Sequence, residues 1–209
     1  EAGHSRVFLI SNGVDAQLFR PEVSSPPPPG VRQPYTLFFG VLARWQGIEK
    51  LLEAIQHPDW PESLHLVIAG DGALRREVEQ AARRSTRILY LGKLPYSQIP
   101  SLIQHSVCGL APMGSIERNC TGVMPLKVFE TLACGVPVVV SDLPGMADLV
   151  RQHHCGIVVP PGDSKQLASA VRYLLEHPEE RAAMGKNGRQ VVEREHSWDA
   201  RAEATHRLL

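Results

Sequence analysis

The sequence has no excess charge of either sign and few aromatic residues. Its 209 residues include 22 Lys and Arg against 22 Asp and Glu, so the formal net charge is zero, and aromatic residues make up only 6%. Surfaces that bind nucleic acid carry a strong basic excess, so we expect no nucleic-acid partner. The hydrophobic fraction of 43% is ordinary for a globular chain that buries a substantial core.

Long hydrophobic runs and paired cysteines are also missing. No apolar stretch approaches the ~20 residues that span a bilayer, and no basic and then apolar segment opens the sequence. We therefore expect a cytoplasmic location. Cys108, Cys120, Cys134 and Cys155 form no CxxC pair, which argues against a disulfide framework. The run His153-His154-Cys155 lacks a second ligand pair, so we interpret it as a surface turn and expect no metal.

Short β-branched runs alternate with amphipathic stretches along most of the chain. HLVIAG (65–70) and VPVVVS (136–141) are apolar throughout, which is typical of parallel strands buried on both faces. The alternation predicts an α/β fold, a Rossmann-like parallel sheet of about six strands with helices on both faces. Without a repeat or a linker, residues 1–209 are predicted to form a single domain. The strand candidates are Val7–Ser11, Tyr35–Gly40, Leu64–Ala69, Ile88–Leu91, Val107–Pro112, Val136–Ser141 and Gly156–Val159.

Several turns with glycine follow these strands, where ligands of open parallel sheets bind. They contain Gly40, Gly70-Asp71-Gly72, Gly92 and the segment 114–124. Glycine allows a close backbone approach to a ligand, although it is also ordinary at strand ends. Neither the GxGxxG fingerprint nor the P-loop pattern GxxxxGK[ST] is present. The turns therefore indicate a candidate rim for a ligand without identifying it.

The stretch TGVMPLKVFETLACGVPVVVS (121–141) is the most informative part of the sequence. Pro125 suits the first position of a helix, where its missing N–H leaves no bond unmade. Free amides near Gly122 to Met124 would make the start of this helix a natural anion site. Lys127, in the first turn, would either add a positive charge near a phosphate or be a solvated surface lysine.

Glu130 is predicted to lie on or beside the buried side of this helix. At 100° per residue it shares a side with Leu126 and Phe129, whereas Lys127 points elsewhere. A buried carboxylate needs hydrogen-bond donors, because leaving it unpaired is costly. The two hydroxyls of a ribose would satisfy both oxygens. A salt bridge to Lys127 or Arg44, or a cap on the amides of a neighbouring loop, would do so equally well.

A series of motifs covers essentially the whole chain. They are SNGVDAQLF (11–19), FFGVLARWQGIEKLLEAI (38–55), LVIAGDG (66–72), LYLGKLPYSQIPSLI (89–103), PLKVFETLACGVPVVVSD (125–142), GIVVPPGD (156–163) and HSWDARAE (196–203). In this order they resemble the C-terminal, donor-binding half of GT-B-fold retaining glycosyltransferases of group 1, the large family numbered four. The resemblance implies one half of a GT-B fold, hexosyl transfer from a nucleotide-diphosphate sugar, and a role in polysaccharide or glycolipid biosynthesis.

The resemblance also implies roles for individual residues. Glu130 matches the second glutamate of the family's E-x7-E pattern, which holds the donor ribose. The segment Thr121–Met124 would lie against the sugar and diphosphate, and Gly92 to Leu94 against the base. No DxD motif is evident, so we expect neither a catalytic metal nor a cofactor, the ligand being the nucleotide sugar itself. The donor-binding candidates are Gly40, Arg44, Gln46, Gly72, Gly92, Lys93, Leu94, Thr121, Gly122, Val123, Met124, Leu126, Lys127 and Glu130.

Three positions depart from the family pattern. The first glutamate of E-x7-E falls at Gly122, and the Arg and Lys that meet the donor diphosphate are replaced by Val41 and Gln46. We hypothesise that Arg44 substitutes for these cations from the same turn, with Lys127 assisting.

The family's acceptor-binding N-terminal domain has no counterpart in this sequence. The resemblance implies that this missing domain of the same polypeptide is a partner, and that any membrane association is peripheral and runs through it. The chain alone is then expected to bind a nucleotide sugar weakly and to transfer nothing. Two alternatives remain, half of a nucleotide-sugar epimerase and a non-catalytic binding or scaffold domain. The departures at Gly122, Val41 and Gln46 favour the scaffold.

Overall fold

Six parallel strands form one sheet in a computed structural model that describes residues 8, 10–22, 26–114 and 124–208. The strand order is β3-β2-β1-β4-β5-β6, and every adjacent pair is parallel. The chain therefore reverses its direction of winding between β1 and β4, which is the doubly wound Rossmann-like arrangement. The strands are β1 (Tyr35–Val41), β2 (His65–Asp71), β3 (Ile88–Tyr90), β4 (Gly109–Ala111), β5 (Val138–Ser141) and β6 (Gly156–Val159).

Helices connect the strands and follow the last one. No helix among the described residues is both long and apolar enough to cross a bilayer. The helices are α1 (Ile48–Ala54), α2 (Arg75–Arg84), α3 (Ile99–Gln104), α4 (Leu126–Ala133), α5 (Met146–His153), α6 (Ser164–Glu176), α7 (Pro178–Val191) and α8 (Trp198–His206), with short 3-10 turns at Arg44–Gln46 and Tyr96–Gln98 and a π-helical turn at Val192–His196. The predicted fold class is confirmed.

The side chains of the strands alternate between two apolar clusters, one on each face of the sheet. In β1, Tyr35, Leu37 and Phe39 belong to the first cluster, whereas Phe38 belongs to the second. Residues of α3, α4 and α5 complete the first cluster, and those of α1, α2 and α6 complete the second. This period of two is what the pleat of a strand imposes, and it explains why the central strands are apolar throughout.

The predicted strand Val7–Ser11 is not found at the residues of this segment that the structure describes. Its described residues, Phe8, Ile10 and Ser11, lie in no strand. The chain that follows pairs with the C-terminal segment instead, because the Val14 N–H donates to the carbonyl of His196 at 2.8 Å and the Trp198 N–H donates to the carbonyl of Val14 at 3.1 Å. An apolar run alone does not determine which segment of the chain its backbone pairs with.

Candidate functional site

A cavity of about 890 Å³ lies at the carboxyl ends of β1, β2 and β4, beside the start of α4. This is the point where the winding reverses, which is the usual ligand crevice of a doubly wound sheet. The described part of its wall is Phe39, Gly40, Val41, Trp45, Gln46, Ala69, Gly70, Asp71, Lys93, Leu94, Pro95, Tyr96, Ile99, Met113, Met124, Pro125, Leu126, Lys127 and Glu130.

Lys127, in the first turn of α4, is the buried cation of this cavity. Only 8% of the residue is exposed. Its ammonium donates to Oε1 of Gln46 at 2.6 Å and lies 3.9 Å from the centroid of the Phe38 ring. It forms no ion pair with a described residue. Burial lowers the pKa of Lys127 to about 7, against the opposing effect of Glu130. An anion entering the cavity would supply the missing counter-charge.

Gln46 is held against Lys127 by a turn that closely approaches the end of β4. Gly47, which ends the turn Arg44–Gln46, has a φ of 74°, and a Cβ there would lie 1.6 Å from the carbonyl oxygen of Pro112. Only glycine fits this left-handed, crowded position without a backbone shift. The Gly114 N–H donates to the carbonyl of Trp45 at 3.0 Å, which fixes the turn from the other side. The amide of Gln46 is thereby presented to α4.

Glu130 lies one turn further along α4 and is 5% exposed. Its Oε1 accepts a hydrogen bond from the hydroxyl of Tyr96 at 2.5 Å. Burial raises the pKa of Glu130, while the hydrogen bond from Tyr96 and the charge of Lys127 act in the opposite direction. Neither a salt bridge nor a cap on described loop amides holds this carboxylate. Its partner is a tyrosine hydroxyl that the sequence alone did not suggest.

The structure brings many of the predicted site residues together and leaves others elsewhere. Arg44, Gly72 and Gly92 are not in the described wall, and Thr121, Gly122 and Val123 lie outside the described residues. The candidates that line the cavity are Gly40, Gln46, Lys93, Leu94, Met124, Leu126, Lys127 and Glu130.

The expected orientations of two side chains on α4 are wrong. Leu126 was predicted on the buried side, but it is 44% exposed, whereas Lys127 is buried. The reason is that α4 is covered on several sides, since every residue from Lys127 to Ala133 is buried. A helical period assumes one buried face and therefore cannot orient a helix that is packed nearly all round.

Arg44 lies on the outside of its turn. The side chain is 78% exposed, and its guanidinium lies 3.5 Å from the Glu49 carboxylate. We expect Arg44→Ala to change the affinity for a nucleoside diphosphate by less than about twofold, because an exposed ion pair contributes little. Calorimetric titration of both forms measures this. A tenfold loss would instead support the hypothesis that Arg44 replaces the family's phosphate-binding cations.

Sequence reasoning missed three cavity residues that are large, apolar or aromatic and exposed. Val41, Trp45 and Tyr96 have exposed fractions of 55%, 41% and 54%, respectively, and all line the cavity. Leu126, which was among the candidates, is 44% exposed and lies in the same wall. Exposed apolar residues gathered around one concavity mark a binding surface. Tyr96 had one signal in the sequence, since it lies two residues after the segment Gly92 to Leu94 that was assigned to the base.

The described cysteines are core residues, whereas His154 is exposed. Within the described ranges, no group of three or more His, Cys, Asp or Glu side chains is placed to hold a metal ion. Cys108, Cys134 and Cys155 are free and buried, and burial raises the pKa of each thiol. Cys120 lies outside the described residues.

Comparison with known families identifies the family of this chain. Residues 20–191 match the family model described as Glycosyl transferases group 1. The chain belongs to this family. Among its curated relatives, D-rhamnosyltransferase WbpZ of Pseudomonas aeruginosa is 30% identical over 156 residues, which cover 73% of this chain and 39% of that protein. Alpha-D-kanosaminyltransferase of Streptomyces kanamyceticus is 28% identical over 172 residues, or 80% of this chain and 43% of that protein. The chain thus spans less than half the length of these relatives.

Solved structures match the fold of this group 1 glycosyltransferase chain. Sucrose-phosphate synthase from Thermosynechococcus elongatus superimposes with a TM-score of 0.79 at 26% identity, covering 96% of this chain and 51% of that one. Anabaena Alr3699/HepE in complex with UDP gives a TM-score of 0.78 at 21% identity, over 95% and 56% of the two chains. The sheet is thus that of GT-B glycosyltransferases.

Proposed function

We propose that the cavity binds the nucleoside diphosphate part of a nucleotide-sugar donor, and that the whole protein transfers the sugar to an acceptor with retention of configuration. The observation that carries this proposal is the pair Lys127 and Glu130 on α4. They lie three residues apart, line the same cavity and are both buried. A buried ammonium suits a phosphate, and a buried carboxylate suits the vicinal hydroxyls of a ribose.

The diphosphate is assigned to Lys127 and to the amides at the start of α4. An incoming phosphate oxygen would replace the Gln46 amide oxygen or share the ammonium with it. An ammonium has three donors, and among the described residues this one donates only to Gln46. When the bond from the sugar to the diphosphate breaks, negative charge grows on the leaving phosphate. A preorganised cation and helix dipole stabilise that charge. We therefore propose a metal-independent transfer.

The base and the ribose are assigned to the other side of the cavity. Glu130 accepts the ribose hydroxyls, and the segment Lys93-Leu94, which follows β3, flanks the base. Gly40 is the last residue but one of β1 and lies next to the proposed phosphate position. A Cβ at Gly40 would lie 3.5 Å from the Lys127 ammonium, in van der Waals contact with it, so Gly40 borders the position proposed for the phosphate.

The activity of the whole protein needs more than this chain. The relatives extend well beyond the matched segment, since the chain covers 39% and 43% of the two named transferases. We propose that a further domain of the same polypeptide binds the acceptor and completes the cleft, and that any peripheral membrane association runs through that domain. The sugar is of the hexosyl type, the reaction takes place in the cytoplasm, and the chain by itself binds the donor without transferring it.

Calorimetric titration with UDP, GDP and ADP tests donor binding. We expect one of the three to bind with a dissociation constant between the high micromolar and low millimolar range, about −4 to −6 kcal/mol. Val41 and Gln46 stand at the positions where the family pattern has phosphate-binding cations. For this reason a non-catalytic scaffold is the second candidate function. Absence of binding to all three nucleotides at millimolar concentration would favour the scaffold.

A further inference from the structure

Tyr96 reaches the buried carboxylate of α4 from the opposite wall of the cavity. It opens the short turn Tyr96–Gln98 between β3 and α3. Its ring meets the ring of Phe19 edge-on, with centroids 5.1 Å apart and an interplanar angle of 63°. Such an aromatic contact fixes the plane of a ring that is otherwise half exposed. The hydroxyl is therefore held at a defined place over α4.

The hydrogen bond from Tyr96 uses only one oxygen of Glu130. Oε1 accepts it at 2.5 Å, while Oε2 makes no hydrogen bond to a described residue. A carboxylate accepts at both oxygens, so the second remains available to a ligand. Lys127 does not occupy it, because the ammonium forms no ion pair with Glu130 or with any other described carboxylate.

The charge of Glu130 depends on its few neighbours. Among the described residues, Tyr96 faces it across the cavity wall, Lys127 lies on the same helix, and the pKa of the Cys134 thiol is raised in part by its charge. Asp15 acts on Tyr96 from the N-terminal segment. Burial raises the pKa of Glu130, and the donated hydrogen bond from Tyr96 is the largest opposing influence. A donor to the ionised form favours that form.

We infer that Tyr96 is a positioning residue for ribose recognition, holding Glu130 by Oε1 so that an ionised Oε2 faces the 2′- and 3′-hydroxyls of the nucleotide. This inference rests on the proposed donor binding. Tyr96 acts through the Glu130 carboxylate and is assigned no contact with the reacting atoms. A ribose whose hydroxyls meet a fixed, charged acceptor gains a charge-assisted hydrogen bond, and a rotating or protonated carboxyl group loses it.

Tyr96→Phe tests the inference, because it removes the hydroxyl and keeps the ring against Phe19. Two ligands are compared. The first is the nucleotide among UDP, GDP and ADP that binds the wild-type chain, and the second is the 2′,3′-dideoxy form of that nucleotide. We expect the wild type to prefer the ribonucleotide by about tenfold or more, and the variant by about threefold or less. The affinity for the dideoxy ligand should stay within about twofold. The preference of the variant should also disappear at a higher pH than that of the wild type, because losing the donor raises the pKa of Glu130.

Tyr173→Phe is the matched control, since the hydroxyl of Tyr173 also donates to a carboxylate, Glu180, away from the cavity. It should leave both affinities unchanged. A Tyr96→Phe variant that keeps the full ribose preference at every pH, or that loses equal affinity for both ligands, would overturn the positioning role. A wild type that binds the nucleotide without preferring ribose would also overturn it, and a wild type that binds no nucleotide would overturn the proposed function with it.

Discussion

Lys127→Met is expected to weaken binding of a nucleoside diphosphate by about 10- to 150-fold, which corresponds to ~1.5–3 kcal/mol. The ammonium is buried, has a single hydrogen bond to Gln46, and makes no ion pair within the described part of the chain. A phosphate would therefore be its first opposite charge at hydrogen-bond distance. Methionine has nearly the same length and fills the same space, so the loss reports the charge. Calorimetric titration at pH 7 measures it.

Two further variants separate the charge from the fold. Lys165→Met removes an exposed lysine from α6 and should leave the affinity unchanged. The double variant Gln46→Lys/Lys127→Gln moves the cation to the other end of the 2.6 Å hydrogen bond and should recover most of the affinity. Wild-type affinity in Lys127→Met, or no recovery in a correctly folded double variant, would contradict the role given to this lysine.

The same lysine predicts the pH dependence of binding. Its pKa is about 7 in the free protein, so it loses its proton as the pH rises above neutrality. Binding of a diphosphate requires the charged form, and the affinity of the wild type should fall by up to about tenfold for each pH unit above 7. The Met variant should show no such fall. Titrations in two buffers of different ionisation enthalpy would reveal the proton taken up on binding.

The stability of the free protein should change with pH in the opposite sense to its affinity for the diphosphate. The folded-state pKa of Lys127 is depressed below the ~10.4 of an unfolded lysine, so the unfolded chain binds the extra proton between about pH 7 and 10. The contribution of Lys127 to the free energy of unfolding therefore rises with pH in that window. Lys127→Met lacks this slope and should be at least as stable as the wild type at pH 7, because it buries no charge. Urea unfolding of both forms tests this.

Glu130→Gln should weaken binding of the ribonucleotide by about 10- to 50-fold, or ~1.4–2.3 kcal/mol. The amide keeps the shape of the side chain and can still accept from Tyr96. It presents either a neutral oxygen or an NH₂ group to the ribose, so the charge-assisted bond to the hydroxyls is lost. The effect should be confined to the sugar, and the 2′,3′-dideoxy nucleotide should bind both forms alike.

Glu180→Gln supplies the control for this change, because Glu180 also accepts a tyrosine hydroxyl and is exposed on α7. It should bind the ribonucleotide as the wild type does. If Glu130→Gln instead lost the same affinity for ribo- and dideoxynucleotides, Glu130 would contribute to the shape of the cavity and not to ribose recognition.

The sheet was predictable because its signals are local and repeated. HLVIAG and VPVVVS are apolar throughout, as strands buried on both faces must be, and turns with glycine mark where they end. Six of the strand candidates correspond to strands of the sheet, with small differences at their ends. Val7–Ser11 had the same apolar character, but the chain after it pairs with Ser197 and its neighbours. Strand pairing is a long-range choice that composition does not encode.

The site was harder to predict because its side chains converge from distant parts of the chain. Glu130 stood out, since a carboxylate in an apolar helix requires a partner. Its partner Tyr96 comes from 34 residues away, and Lys127 and Gln46 are 81 residues apart. Arg44 looked like the better cation from its place in a motif, yet it lies in solvent beside Glu49. Burial distinguishes Lys127 from Arg44 as the proposed phosphate-binding cation, and burial is a property of the packed fold.

A crystal structure of this chain with the nucleoside diphosphate it binds would test the central claim most directly. The account predicts a phosphate oxygen within about 3 Å of the Lys127 ammonium and a ribose hydroxyl at the same distance from Oε2 of Glu130, with Tyr96 still bonded to Oε1. A nucleotide bound outside this cavity, or one whose diphosphate is held by Arg44 while Lys127 keeps only Gln46, would contradict it.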